Sequence, residues 1–160
     1  MAGILFTDGK HVLAGYNQHT MKISGIGGKA KEGETAIHTA IRETVEELFE
    51  LEEIPAELTE LLYNNLTFDD EFFKGGYTTF IMDFNYDLEV FFNSMTHFEL
   101  KSKVYDTLPE SLEDLIMTRK VSPTAEMSHL MLLPCVYNID LDKSLLFDIY
   151  SFKNCEKSIR

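Results

Sequence analysis

Glu43, Glu46 and Glu47 stand at i, i+3 and i+4. On an α-helix, with Glu43 at zero, Glu47 lies at about +40° and Glu46 at about −60°. Ile37, Ile41, Val45 and Leu48 then fall between about +120° and +200°, so the acids share one face and the apolar stripe points away from them. Like charges at this spacing cost on the order of 0.2–0.5 kcal/mol per pair, and the wheel places no basic residue on that face to relieve them. A hard divalent cation would do so. Mg²⁺ takes oxygen ligands and keeps waters and substrate phosphate oxygens in its shell, and it neutralises phosphate charge while acidifying a bound water. The chemistry indicated is metal-assisted hydrolysis at phosphorus. A glutamate-rich helix face alone is most often a solvated surface, so the flanking residues must decide.

Those residues read Gly28, five residues, Glu34, seven residues, Arg42-Glu43, two residues, Glu46-Glu47. The pattern resembles the Nudix box, the signature of the Nudix hydrolase family, and Gly27-Gly28-Lys29 and Gly33-Glu34-Thr35 extend the match. It departs at Phe49, where the family has Gly, at Glu50, where it has an apolar residue, and at Thr44, which replaces a bulkier aliphatic. The family's Gly ends the helix in a left-handed turn; with Phe49 the helix is expected to continue or to exit differently.

The resemblance implies an α+β fold, a Nudix-like α/β/α sandwich with a mixed β-sheet, in which residues 85–120 form a helical insertion. It assigns Glu46 and Glu47 as metal ligands and Glu43 as a ligand or the general base. Arg42 would orient the catalytic glutamate through a charge-assisted hydrogen bond, and Glu34 would tie the loop to the helix. The Gly27 carbonyl would complete the metal shell, while Gly28 and Gly33 let the backbone close around phosphates. A further acid comes from downstream in many members. Glu126 is the candidate, as ligand or base, with Glu110, Glu113, Asp70 and Glu71 as competitors. Lys29 and Lys31, with Gly28, would meet phosphate oxygens. His38 reads as a surface residue and His129 as a sheet residue. Tyr16, Phe72, Phe73 and Tyr77 could stack on a ring, although aromatic residues more often fill cores.

The implied activity is a Mg²⁺- or Mn²⁺-dependent pyrophosphohydrolase, in which water attacks phosphorus in a nucleoside diphosphate linked to another moiety. mRNA decapping and diphosphoinositol polyphosphate hydrolysis are alternatives within that class. A Nudix-fold binding module without turnover is an alternative outside it. A homodimer through the insertion is compatible with all of these.

Several elements must position the acids. Ile4–Thr7 and His11–Ala14 flank Asp8-Gly9, whose type supplies the positive φ angles of a tight hairpin. Met21–Ile26 suits a short strand that should not persist through Gly25–Gly28. Thr35 is a helix N-cap, and the helix runs to about Leu48, with Pro55 as its outer limit. Leu61–Phe68 reads as a strand, Asp69–Gly76 as a turn or loop, and Tyr77–Met82 as a strand. Leu88, Phe91, Phe92, Met95 and Phe98 suit one helix, and Leu112, Leu115 and Ile116 another, with Pro109 between them. Met127–Tyr137 returns to strand composition. Asp142 caps a last helix carrying Leu145, Leu146, Ile149 and Phe152.

The 160 residues fit one domain, 1–160, without linker or repeat. A chain of that length buries roughly 70% of its unfolded surface. The two cysteines, Cys135 and Cys155, match no metal or redox spacing and read as reduced thiols. The start carries no cationic leader, and no stretch approaches the roughly 20 apolar residues that span a bilayer, so a cytoplasmic protein without membrane contact is expected. The net charge of −13 opposes strong binding to nucleic acid or other polyanions. It leaves room for a small phosphorylated substrate, where metal and local cations invert the field.

Overall fold

The computed structural model describes residues 1–135 together with Leu145 and Asp148. In chain order the elements are β1 (Ala2–Thr7), β2 (His11–Asn17), β3 (Lys22–Ser24), β4 (Ile26–Gly28), α1 (Ala36–Phe49), α2 (Ala56–Asn65), β5 (Glu71–Lys74), β6 (Tyr77–Asp83), α3 (Asp87–Met95), α4 (Leu112–Met117) and β7 (Met127–Pro134). The architecture is α+β around one mixed sheet. β1 is its hub, parallel to β6 and antiparallel to β2 and β4. β2 also pairs with β3 and β7, and β5 forms an edge on β6.

Every residue of β1 is buried, as expected of a strand covered on both faces. Ile4 and Phe6 point into a large core with Ile41, Val45 and Leu48 of α1. Leu5 alternates to the other face and joins Val12, Ala14, Leu133 and Leu145 in a second cluster. The apolar stripe of α1 therefore packs on the sheet as the spacing predicts, which turns the opposite side of the helix toward the acids' cavity.

Several expectations need correction. The segment expected as a strand at 61–68 is α2 as far as Asn65. Pro55 lies beyond the end of α1 at Phe49, as expected, and also opens this helix as its N-cap. Leu58 and Leu62, one helical turn apart, are its buried residues. Within 69–76, Glu71–Lys74 is strand β5, and only Gly75 and Gly76, both at positive φ, make the turn. Regular structure does persist into the glycine-rich segment, because β4 pairs with β1 through Gly3↔Gly27 and Ala2↔Gly28. A side chain at Gly3 would collide with the Ile26 carbonyl and the Tyr77 hydroxyl, so the facing glycines are what allow the strands to close there.

The β1–β2 hairpin forms, but at its tip only Gly9 takes positive φ. Asp8 instead turns the chain with its side chain, its Oδ1 accepting from the N–H groups of Lys10 and His11 at 2.8 and 2.7 Å. Both expected helices within 85–120 are present, with Phe98 just beyond the end of α3. Tyr137 and the expected last helix from Asp142, with Leu146, Ile149 and Phe152, lie outside the described residues apart from Leu145 and Asp148, which are helical. Among the described residues no helix is long and apolar enough to cross a membrane.

Candidate functional site

The acids around α1 fall into two sets in opposite electrostatic states, one just ahead of the helix and one on it. At its start, Thr35 caps the helix by accepting from the His38 N–H at 3.3 Å. Glu34, just ahead of it, is gripped by Arg42. Nε donates to Glu34 Oε1 at 2.7 Å and Nη2 to Oε2 at 3.0 Å. The Lys31 N–H and the Thr39 hydroxyl add bonds of 2.9 and 3.1 Å to Oε2. The Arg42 guanidinium, foremost, holds the Glu34 carboxyl down at about 2, against burial, with the Lys31 and Thr39 bonds assisting. Glu34 thus ties the loop to the helix, as expected.

The rest of the Arg42 fork donates to Glu43 Oε1 and Glu46 Oε2, each at 2.8 Å, and to the Lys29 carbonyl at 2.8 Å. Lys31 Nζ lies 3.4 Å from Glu46 Oε1. The expectation that nothing basic relieves this acidic face is therefore wrong. Arg42 lies only about 40° from Glu46 on the wheel, and its length carries the guanidinium across to both acids.

The C-terminal half differs. Glu47 is buried, 3% exposed, and accepts from the Gly27 N–H at 2.9 Å. Burial pushes its carboxyl well above the ordinary range, with Glu126, Glu43 and Glu46 adding repulsion and the Gly27 bond opposing. Glu43 is also raised, by burial foremost, against the pull of Arg42. The Glu43 carboxyl packs so close to Gly28 that a Cβ there would stand 2.6 Å from it. Gly27, at φ 149°, could not carry a side chain without striking Tyr77 and the β1 backbone. The two glycines thus let β4 meet the acid-bearing turn of α1.

Glu126 stands immediately before β7, and Asn17 Nδ2 donates to its Oε1 at 2.9 Å. It joins Glu43, Glu46, Glu47, Glu50 and Glu52 around a cavity of about 440 Å³, where Lys103 supplies the one positive charge of the lining. The downstream candidate is thereby brought to the box acids. Its competitors Glu110, Glu113, Asp70 and Glu71 do not line this cavity, and Glu110 borders a separate groove beside Phe92 and Met95.

Lys31 reaches the site's edge, and Lys29 enters through its carbonyl. Gly33, at φ 81° with open space around it, shapes the turn before the helix. His38 stacks on Tyr63 with ring centroids 5.0 Å apart, away from the cavity. His129 lies opposite Tyr16 in the β2–β7 ladder. Phe73 is exposed on β5, and neither it nor Phe72, Tyr16 or Tyr77 lines the cavity.

Glu52 and Lys103 of the lining were not foreseen, nor were two further residues of the site. Glu50, noted only as a departure from the box, is the left-handed C-cap of α1 at φ 45° and faces the cavity. Burial raises its carboxyl against Arg119 and the Glu126 backbone N–H. Arg119 is tied into the base of the site. It donates to the carbonyls of Leu48, Glu47 and Met127 at 2.7, 2.9 and 2.9 Å. Most of its partners are main-chain carbonyls, which leave no side-chain pattern to read.

The donor set is all oxygen and mostly carboxylate, the chemistry of a hard cation site. Among the described residues no three acidic, histidine or cysteine side chains already converge as a metal cage; Arg42 holds one oxygen each of Glu43 and Glu46. No protein-family model and no curated protein matches the sequence.

Proposed function

We propose that this chain is a Nudix-type hydrolase of sandwich architecture that cleaves a pyrophosphate linkage in a small nucleotide-type substrate. The observation that carries this reading is the buried Glu47 carboxylate, which shares one cavity with Glu43, Glu46 and Glu126 and bonds to Gly27 of β4. Such burial is costly for folding unless a cation compensates.

Glu43, Glu46 and Glu47 would hold Mg²⁺ or Mn²⁺, with the Gly27 carbonyl and Glu126 as further donors. The ion when bound would screen phosphate charge and acidify water. Arg42 fixes the rotamers of Glu43 and Glu46. If Glu43 is left free of the ion, it is one candidate base, its carboxyl raised by burial against the pull of Arg42; Glu126, across the cavity, is the other. The water oxygen forms the new bond to phosphorus, the bridging P–O bond breaks, and the proton passes to that carboxylate. Lys103 in the lining and Lys31 beside Glu46 would be the cations nearest to bound phosphate oxygens.

The test is phosphate release from nucleotide sugars, ADP-ribose, dinucleoside polyphosphates, nucleoside triphosphates, capped RNA and a diphosphoinositol, with Mg²⁺, Mn²⁺ or chelator. Metal-dependent turnover of one compound, reduced about 10²–10⁴-fold in Glu47→Gln, supports the reading. Silence across the panel from a folded protein contradicts it. A non-catalytic binding module is the second reading, favoured by the hold of Arg42 on Glu43 and Glu46; it would bind one of these compounds without releasing phosphate.

A further inference from the structure

α1 ends without the glycine that would let it close its own last turn. The carbonyls of that turn are normally left without helical partners, yet here each has one, drawn largely from the 85–120 region. The Glu46 carbonyl accepts from the Glu50 N–H at 3.0 Å. Arg119 takes the next two, Glu47 and Leu48. The Ser102 hydroxyl donates to the Phe49 carbonyl at 2.6 Å, and the Lys103 N–H donates to the Glu50 carbonyl at 2.8 Å. The second nitrogen of the same Arg119 fork also donates to the Met127 carbonyl, one residue past Glu126.

We propose that Arg119 is a positioning residue for the acid cavity, bolting the last turn of α1 to the start of β7 so that Glu47 and Glu126 face one another. This rests on the hydrolase reading above. The guanidinium binds the main chain of Glu47 itself and of the residue after Glu126, the two acids that come from different elements. Its plane is in turn fixed. Tyr105 lies beneath it, ring centroid 5.6 Å from the guanidinium carbon, and Nη1 also donates to the Tyr105 hydroxyl at 3.3 Å. Tyr105 is itself anchored by donating to the Leu115 carbonyl. A rigid planar fork bridges carbonyls on two elements in one fixed geometry; an ammonium group, with three rotatable donors on a flexible stem, holds them less rigidly. A helix C-terminus held in this way does not fray, and acids borne on its last turns keep one geometry. The positive charge also suits the negative end of the helix dipole. The region at 85–120 thus partners the carbonyls that the left-handed Glu50 cap leaves open.

The experiment compares the full chain with Arg119→Lys, Arg119→Met and Ser102→Ala. It measures folding by circular dichroism, Mn²⁺ affinity by electron paramagnetic resonance, and phosphate release from the best substrate. The expected result is folded variants in which Arg119→Lys binds Mn²⁺ about 10–100-fold more weakly, the loss typical of removing a residue that orients metal ligands. Turnover should fall with it, and Ser102→Ala should show a smaller loss in the same direction. Should Arg119→Met fail to fold, Arg119→Lys decides. Lower melting temperatures with wild-type Mn²⁺ affinity and turnover would reduce Arg119 to a structural clamp and overturn the proposal while leaving the hydrolase reading intact. A wild type that neither binds Mn²⁺ nor releases phosphate would remove the hydrolase reading and the role of Arg119 with it.

Discussion

The two ends of α1 use the same residue type to opposite effect. At the N-terminal end Glu34 is paired with the Arg42 fork and two further donors, and its carboxyl is held down at about 2. At the C-terminal end Glu47 is more deeply buried, has one backbone N–H from Gly27, and is pushed upward. One acid is satisfied by the fold and stabilises it. The other is kept at a cost to the fold, and such a cost at a cavity is what a binding function explains. Arg42 stands between them, tying Glu34 firmly while reaching only one oxygen each of Glu43 and Glu46.

The sharpest way to break this contrast is to remove its pivot. Arg42→Met leaves Glu34 without its countercharge in a part-buried setting and should destabilise the protein by about 3–5 kcal/mol, the range for breaking a buried ion pair from one side. Urea unfolding measures it, and a loss near zero would mean that the N-terminal acid is not held as described.

Glu34→Gln keeps the shape but removes the charge, and should cost about 1.5–3 kcal/mol. The pH dependence separates the two ends further. Glu34 is lowered in the folded state, so its contribution is fully present above about pH 4.5 and disappears as pH falls toward about 2. Glu43 and Glu47 are raised, so their sign is reversed. They favour the folded state below the ordinary carboxylate range, and that contribution is lost as pH rises into their elevated range. Melting temperatures across pH should show Glu34→Gln losing most of its deficit in acid. A deficit unchanged down to pH 2 would contradict the pairing.

The smallest expected effect is at Glu50. Its left-handed backbone strains any residue but glycine, so Glu50→Gly should stabilise the protein by roughly 0.5–1 kcal/mol. Destabilisation in the same unfolding assay would mean that the Glu50 side chain contributes more than its backbone costs.

α1 itself was legible because its signals are local. Thr35 caps the helix, and Ile41, Val45 and Leu48 mark the buried stripe at a fixed period. The roles of Glu34 and Arg42 came only through resemblance, and their direct pairing was not foreseen. Glu126 was legible only through resemblance, since nothing near it in sequence announces the cavity. What was misread depended on distant partners. The segment at 61–68 looks like a strand until Leu58 and Leu62 are seen to pack a helix that Pro55 opens. The glycines of β4 look like a break until Gly3 and Tyr77 are placed against them. Arg119 is the extreme case, because its partners include the carbonyls of Leu48 and Glu47, 71 and 72 residues away. Carbonyls are common to every residue and mark none.

The most direct test of the central claim, that Glu47 is held in the cavity for a cation and at the expense of the fold, is the melting temperature of wild type and Glu47→Gln at neutral pH, each with and without Mn²⁺. Without metal, the variant should melt higher, because it no longer buries a titrating carboxyl. On adding Mn²⁺ the wild type should rise with concentration as a ligand-binding folded state must, while the variant stays nearly unmoved. A wild type indifferent to Mn²⁺, or a variant that melts lower and responds to the metal as the wild type does, would contradict the account.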